Sequence, residues 1–459
     1  MDQAPYQENE SQGFLKRNRQ VFKAGFVGFL ILALMIPTFF ISNLIDERKE
    51  RNQEVKTSIA NQWSQAQTIS GPVLVVPFLE NAFDDQKKPT VKKYYAYFMP
   101  DKLEINGKLQ PELKARSIFK VPVYTASIHV KGSYKNLLPE RLGLKPENLL
   151  WQEAKLIVGV FDTKGLTDET SIQWDGQTKS FIPGNDCGVG CNAALPASDA
   201  LYQETPRDNE GLVLNLPLDA SFFASEHHFD FELKLRGSEK LFVVPVGNST
   251  KTSLWANWKD RDFQGNYLPD AHTLTDTGFT ANWNVYRSMP PQQKYSLKDM
   301  GRTAFGVNLI QPLDNYAKTT RTIKYAILVI MLTFVVYFFI ELFQKKFVNA
   351  MQYVLIGFAL CLFYTLLLSI SEYTGYVQAY LISALATILL ISLYTKSVFG
   401  QFKSALVFGG FLSLLYAFIF VLIQLEDGAL LVGSIGLFVI LASIMYVSRK
   451  LDWNKQVNN

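Results

Sequence analysis

From Ala24 to Ile45 the chain runs for about 22 residues without a charge, as AGFVGFLILALMIPTFFISNLI. A helix rising about 1.5 Å per residue would cover the roughly 30 Å hydrocarbon core of a bilayer over that run. Pro37 lies inside it and predicts a kink, which membrane spans tolerate better than soluble helices do. Five more apolar runs of spanning length occupy the C-terminal third, at 325–343, 350–371, 375–395, 404–424 and 428–448. A cleaved secretory signal would have an apolar region of only about 7–15 residues before a small-residue cleavage site. The first run is longer and leads directly into DERKERNQEV, so it predicts an uncleaved signal anchor.

The pattern between the first and second runs is different. Val55, Ile59 and Trp63 recur every fourth residue, predicting that the first helix continues out of the membrane until Gly71–Pro72 stops it. Beyond that point the period becomes two. In FDFELKLR, Phe229, Phe231, Leu233 and Leu235 fall on one face, while Asp230, Glu232, Lys234 and Arg236 fall on the other. Leu212, Leu214, Leu216 and Leu218 alternate likewise, as do Leu103, Ile105 and Leu109, and Ile128, Val130 and Tyr134. Asn106–Gly107 and Arg236–Gly237–Ser238 read as turns between strands. Half-polar strands predict antiparallel sheets with one wet face, in a sandwich or barrel-like arrangement. About 275 residues is large for one β core, so two subdomains are an open alternative.

Charge adds orientation. The 459 residues carry a formal net charge of +4 with only 19% charged residues, too weak a balance to argue for nucleic acid. The basic residues are unevenly placed. Lys16, Arg17, Arg19 and Lys23 precede the first run, and Lys345 and Lys346 follow the second. Lys396 and Lys403 lie between the fourth and fifth, and Arg449, Lys450 and Lys455 follow the sixth. The connections around Glu372 and around Glu426–Asp427 have no Lys or Arg. Basic and non-basic ends alternate as six spans require, so the positive-inside rule puts both termini in the cytoplasm. Arg48, Lys49 and Arg51 run against the rule, but long domains translocate largely regardless of such charges. The expected fold class is an α-helical polytopic membrane protein, N-in and C-in, with a large inserted β-rich periplasmic domain. Its expected divisions are a cytoplasmic segment 1–23, an anchor 24–45, the exported domain 46–324, a five-helix bundle 325–448 and a tail 449–459.

That compartment bears on NDCGVGCNA, which holds Cys187 and Cys191 in a Gly/Pro/Asn-rich loop. Outside a bacterial cytoplasmic membrane, thiols tend to become disulfides, and closing so short a loop contributes about 2 kcal/mol. Zinc would need about four ligands, and no ligand spacing ties His227 or His228 to the cysteines. A redox pair would ordinarily be Cys-x-x-Cys beside a βαβ pattern, and neither is present. A structural disulfide is the expectation. His227 and His228 read as solvated imidazoles where a loop enters a strand, His129 as an outward strand residue and His272 as a loop residue. Cys361, inside the third run, reads as an inert core thiol.

Nucleophile-elbow, phosphate-loop, dinucleotide and zincin motifs are all absent, so no enzyme activity, cofactor or metal is expected. Deep polar groups in spans are costly and mark sites. Glu341, one turn before Lys345, reads as a helix-end pair or a functional carboxylate. Glu372, at the mouth of the third and fourth spans, reads as a headgroup-zone turn residue or a proton or ion site. Ser369, Ser371, Ser383 and Ser392 are candidates for interhelical hydrogen bonds, and Gly409 and Gly410 for close packing. Tyr325, Tyr353, Tyr376 and Tyr446 fit an aromatic belt.

Several long stretches resemble the CreD family of bacterial inner-membrane proteins. SGPVLVVPF (70–78), FMPDKLEINGKLQPELKARSIFKVPVY (98–124) and LRGSEKLFVVPVGN (235–248) are similar to its exported domain. FGVNLIQPLDNYAKTTRTIKYAILVIMLTF (305–334) and VLIGFALCLFYTLLLSISEYTGYVQAYLISALA (354–386) are similar to its membrane region. The resemblance implies a protein of cell-envelope integrity under two-component regulation, and it brings no catalytic residue, cofactor or substrate. The expected role is non-enzymatic, through contacts with membrane lipids, envelope polymers or other envelope proteins. The alternative is a transporter or lipid-handling protein that uses the C-terminal bundle.

Overall fold

The computed structural model describes residues 19–83, 87–135, 137–184, 211–219, 222–288, 290–295, 297, 300–310, 315–344, 346–425 and 428–449. The chain divides into two compact units, one of Met1–Asn52 with Leu313–Asn459 and one of Gln53–Pro312.

The first unit is helical. Helix α1 (Arg19–Ala33) and helix α2 (Met35–Trp63) are separated only at Leu34. The break lies three residues before Pro37, whose ring crowds the Ala33 carbonyl and which has no amide to donate. The division between the units falls inside α2. Helix α3 (Asn315–Lys324) was not evident in the sequence; it precedes α4 (Ala326–Gln344) with a break at Tyr325. Helices α5 (Ala350–Thr374), α6 (Tyr376–Phe399), α7 (Phe402–Gln424) and α8 (Ala429–Ser448) follow. Among the described residues, six helical stretches are long and apolar enough to cross a membrane: Lys23–Trp63 and the bodies of α4 to α8. The chain therefore has the build of a polytopic membrane protein.

The second unit is built on two sheets, of nine and eight strands among the described residues. One apolar core takes residues from both, including Val76, Phe98 and Phe242 from one sheet and Ile105, Ile128 and Leu233 from the other. A single core replaces the alternative of two subdomains. Most pairings are antiparallel, but two are parallel: Gln67–Phe83 with Lys240–Val243, and Lys102–Arg116 with Ser249–Ala256. Both parallel pairs join strands far apart in sequence, where a long connection lets the chain return in the same direction.

The alternating segments lie as their period requires. Phe229, Phe231, Leu233 and Leu235 are buried in strand His227–Ser238, with Asp230, Glu232, Lys234 and Arg236 exposed. Strand Gln67–Phe83 differs, since all of its first twelve residues are buried. Three sequence-based boundaries are corrected. Helix α2 stops at Trp63, not at Gly71–Pro72, because buried Asp162 accepts from Gln65 N (2.9 Å) and Ser64 Oγ (3.1 Å) at the helix end. Gly71–Pro72 lies within a strand, at a register shift between Ser70 and Val73, where a strand can take a proline.

Asn106–Gly107 is also inside a strand. Gly107 leaves room there for the Leu254 side chain opposite it, since a Cβ would stand 2.7 Å from Leu254 Cδ2. Gly237 likewise stays in its strand, pressed against the Tyr124 ring, and the chain turns at Glu239, where φ is +57°. From there Lys240–Val243 enters the other sheet. Burial pushes the Tyr134 phenol far up; it donates to the Pro72 carbonyl at 2.8 Å, and Tyr124 donates to that of Lys240 at 2.7 Å.

Leu233→Ala should destabilise the β-rich unit by about 2–5 kcal/mol, because it opens a cavity in the shared core. Its neighbour change Lys234→Ala, on the wet face, should stay within about 0.5 kcal/mol. Urea unfolding of the purified protein followed by near-ultraviolet circular dichroism measures both.

Candidate functional site

Two clusters of charged side chains stand out in the helical unit, one around Lys23 of α1 and one around Arg48 of α2. In the first cluster, Lys23 of α1 forms an ion pair with Glu341 of α4. Lys23 Nζ also donates to the Val348 carbonyl at 2.6 Å and lies 4.3 Å from the centre of the Phe347 ring. Glu341 is buried, at 6% exposure, and accepts two further bonds, from Val348 N at 3.1 Å and Tyr353 Oη at 2.7 Å. A carboxylate with three donors and an ammonium with two oxygens satisfy each other where neither could stand alone. Glu341 thus reaches across to a different helix; Lys345, its expected neighbour, lies outside the described residues.

The second cluster is at the C-terminal end of α5. Glu372 is in the last turn of that helix, not in a connecting turn, and its side chain is 9% exposed. Tyr316 Oη of α3 donates to it at 3.1 Å, and Arg48 Nε stands 3.9 Å away. Asn315 completes the arrangement: its Nδ2 donates to the Ser371 carbonyl at 2.7 Å, and its Oδ1 accepts from Tyr376 N at 3.0 Å. One amide side chain so satisfies a terminal carbonyl of α5 and a terminal amide of α6. Thr322 Oγ1 and Tyr376 Oη are hydrogen-bonded at 2.8 Å.

Glu341 and Glu372 are not gathered into one site. Tyr353, which binds Glu341, is near the start of α5, and Glu372 is 19 residues further along it, roughly 28 Å of helix. Lys23, Arg48, Asn315, Tyr316 and Tyr353 were missed by the sequence reading as partners. Arg48 had a signal, being a cation on the side where the charge rule disfavours one.

Other candidates resolve individually. Tyr353 and Tyr376 are buried interior partners and not belt residues, whereas Tyr446 is 64% exposed. Gly409 does sit tightly, since a Cβ would lie 2.5 Å from Ser392 Oγ, while Gly410 has open space. Ser371 Oγ bonds within its own helix, to the Leu368 carbonyl. Cys361 is a buried free thiol. Cys187 and Cys191 lie outside the described residues.

In the β-rich unit, His227 is not a solvated imidazole. Its ring stacks on Phe222 at 4.1 Å, with Nδ1 2.6 Å from Asp175 Oδ2 and Nε2 3.0 Å from the Phe222 carbonyl. His129 faces outward as expected and meets Asp230 at 2.7 Å. His272 is on the exposed strand Ala271–Leu274 instead of a loop. Among the described residues, no group of three or more His, Cys, Asp or Glu could hold a metal ion. The outer face of the eight-stranded sheet is polar and extensively paired. Hydrogen bonding from Asn106, aided by Lys131, holds the Glu104 carboxyl below its usual range, and Lys135 does the same for Glu226.

A family model described as inner membrane protein CreD matches residues 19–454. The inner membrane protein CreD of Escherichia coli (strain K12) is 28% identical over 435 residues, covering 92% of this chain and 91% of that protein.

Removing one partner of the buried cluster should leave the other charge stranded. Glu341→Ala should cost about 3–5 kcal/mol, and the double change Lys23→Met with Glu341→Leu should recover most of that. Glu372→Gln, facing a half-exposed arginine, should cost at most about 1 kcal/mol. Unfolding of the detergent-solubilised protein by increasing sodium dodecyl sulfate measures all three.

Proposed function

The chain belongs to the CreD family of inner membrane proteins, and from that premise we propose that it is a non-enzymatic protein of cell-envelope integrity, acting through a periplasmic β-rich domain. It is a multi-pass protein of the inner membrane. The observation that carries the reading is the insertion itself. Residues 53–312, 260 positions with their own apolar core, are placed between the first and second candidate spans. A folded unit with a polar outer sheet face suits contact with lipids, envelope polymers or other envelope proteins.

N-in, C-in orientation puts that unit in the periplasm. It is supported by Lys23, Lys346, Lys396, Lys403 and Arg449, all at helix ends on one side of the alternation. Arg48, Lys49 and Arg51 are the exceptions, and of these Arg48 has Glu372 3.9 Å away. In that compartment Cys187 and Cys191 form a disulfide.

The transport reading has one observation in its favour. The hydroxyls of Thr333, Tyr337, Ser383, Ser392 and Tyr416 are buried in the bundle without a hydrogen-bond partner among the described residues. Against it, Glu341 and Glu372 are each held in a separate cluster, and among the described residues neither accepts a hydrogen bond from those hydroxyls.

A periplasm-dependent reporter fused near Gly211 should be active; activity confined to a cytosolic reporter at that point would reverse the orientation. Membrane-impermeant maleimide on spheroplasts should label Cys187 and Cys191 only after mild reduction. A deletion strain should become more permeable and detergent-sensitive, and Glu372→Gln should restore it fully if that carboxylate is structural. Unchanged permeability in the deletion would count against the envelope role.

A further inference from the structure

We propose that the outer face of the eight-stranded sheet binds an acidic glycan along strands Lys102–Arg116 and Ser249–Ala256, a partner that rests on the periplasmic reading above. The register makes the face explicit. Tyr286 lies opposite Ser249, which lies opposite Lys102; Lys251 lies opposite Glu104; and Trp255 lies opposite Lys108. Opposed residues share a face, and the intervening Thr250, Thr252 and Leu254 are buried, so this set points away from the core.

Two large aromatic rings are left in water there, Tyr286 at 66% exposure and Trp255 at 40%. They stand six residue steps apart along the strand, roughly 20 Å at the rise of a strand. A planar indole or phenol offers an apolar platform with a polar edge, which suits the alternating C–H and O–H faces of a pyranose ring. Between the rings the face is polar, with Ser253, Asn106 and Asn282 in one row, so no apolar track exists for an acyl chain.

Charge sets the kind of sugar. Between the two rings, over 102–108 and 249–255, the strip has three lysines and one glutamate, and Glu104 is already engaged by Asn106 (3.2 Å) and Lys131 (3.3 Å). Among the described residues, Lys102 and Lys108 close no ion pair, and Lys251 forms none within contact distance, acting on Glu104 across the register only through space. Lys108 instead lies over the Trp255 ring, 5.2 Å from its centre, pairing a cation with a stacking platform. Lys102 and Lys251 are diagonal neighbours across the strand pair, a like-charge placement that a bound anion relieves. They also open onto a groove of about 680 Å³ whose far wall holds Lys131, His228 and the carboxylates of Asp175, Glu226 and Asp230, each of these three already facing a cation or imidazole (His227, Lys135 and His129). Carboxylates spaced along a hydroxyl-rich chain match these lysines and rings together; a neutral glycan would use only the rings.

The test is titration of the full-length protein in lipid nanodiscs with tetragalacturonate, read by tryptophan fluorescence and calorimetry, with maltotetraose as the uncharged control. Saturable binding of tetragalacturonate is expected, with maltotetraose weaker. Trp255→Ala and Lys251→Ala should each weaken it about tenfold. Trp255→Phe and Lys251→Arg keep the platform and the charge and should retain affinity, which separates loss of the site from loss of the fold. No saturable binding, equal affinity for maltotetraose, or affinity unchanged in both alanine variants would overturn the site. Nanodisc binding is indifferent to which side the unit faces in the cell. Failure here therefore leaves the orientation standing, and a cytosolic reporter result at Gly211 would leave this titration unchanged.

Discussion

A lysine and a glutamate facing each other inside a helical bundle allow few alternatives. Lys23 and Glu341 come from helices far apart in sequence, and each fills the other's need for a counter-charge where water is scarce. The Val348 amide and carbonyl and the Tyr353 hydroxyl take up the remaining donors and acceptors. The pair therefore fixes where α1 stands against α4 and against the start of α5. Arg48 and Glu372 repeat the arrangement more loosely, 25 residues further along the same helical path, roughly 37 Å at the rise of an α-helix. That spacing exceeds the hydrocarbon core by a few ångströms, which is where charges can approach the headgroups.

The same rule, that a desolvated polar group needs a partner, accounts for the asymmetry between the two clusters. Glu341 is buried and accepts from three donors, whereas Glu372 shares its carboxylate with a half-exposed arginine and a tyrosine. Asn315 performs the corresponding task for backbone, joining the end of α5 to the start of α6. The short helix α3 exists to deliver such side chains: Tyr316, Thr319 and Thr322 are buried along its inner face.

In the β-rich unit the problem is reversed, because water is plentiful and the core must exclude it. Inner faces are filled by branched and aromatic residues and the outer face of the eight-stranded sheet by ion pairs and hydrogen bonds. Glycines stand where two strands or a strand and a ring press together, as Gly107 against Leu254 and Gly237 against Tyr124. Those contacts, not turns, explain why glycine is used there.

Local pattern was enough for whatever depends on neighbours in sequence. Apolar runs of spanning length, a period of two in Phe229–Arg236, and the helical continuation through Val55, Ile59 and Trp63 each reflect a face that must be dry or wet over its whole length. Family membership was legible for a related reason, since long composite stretches survive as sequence. Partnerships could not be read this way. The pairing of Lys23 with Glu341 spans 318 positions, and the parallel return of Ser249–Ala256 onto Lys102–Arg116 joins strands separated by more than a hundred. Gly107 looked like a turn because a glycine's neighbours along the chain do not reveal what lies across from it. Only the packed structure decides that, because contact energy acts through space while the sequence records order along the chain.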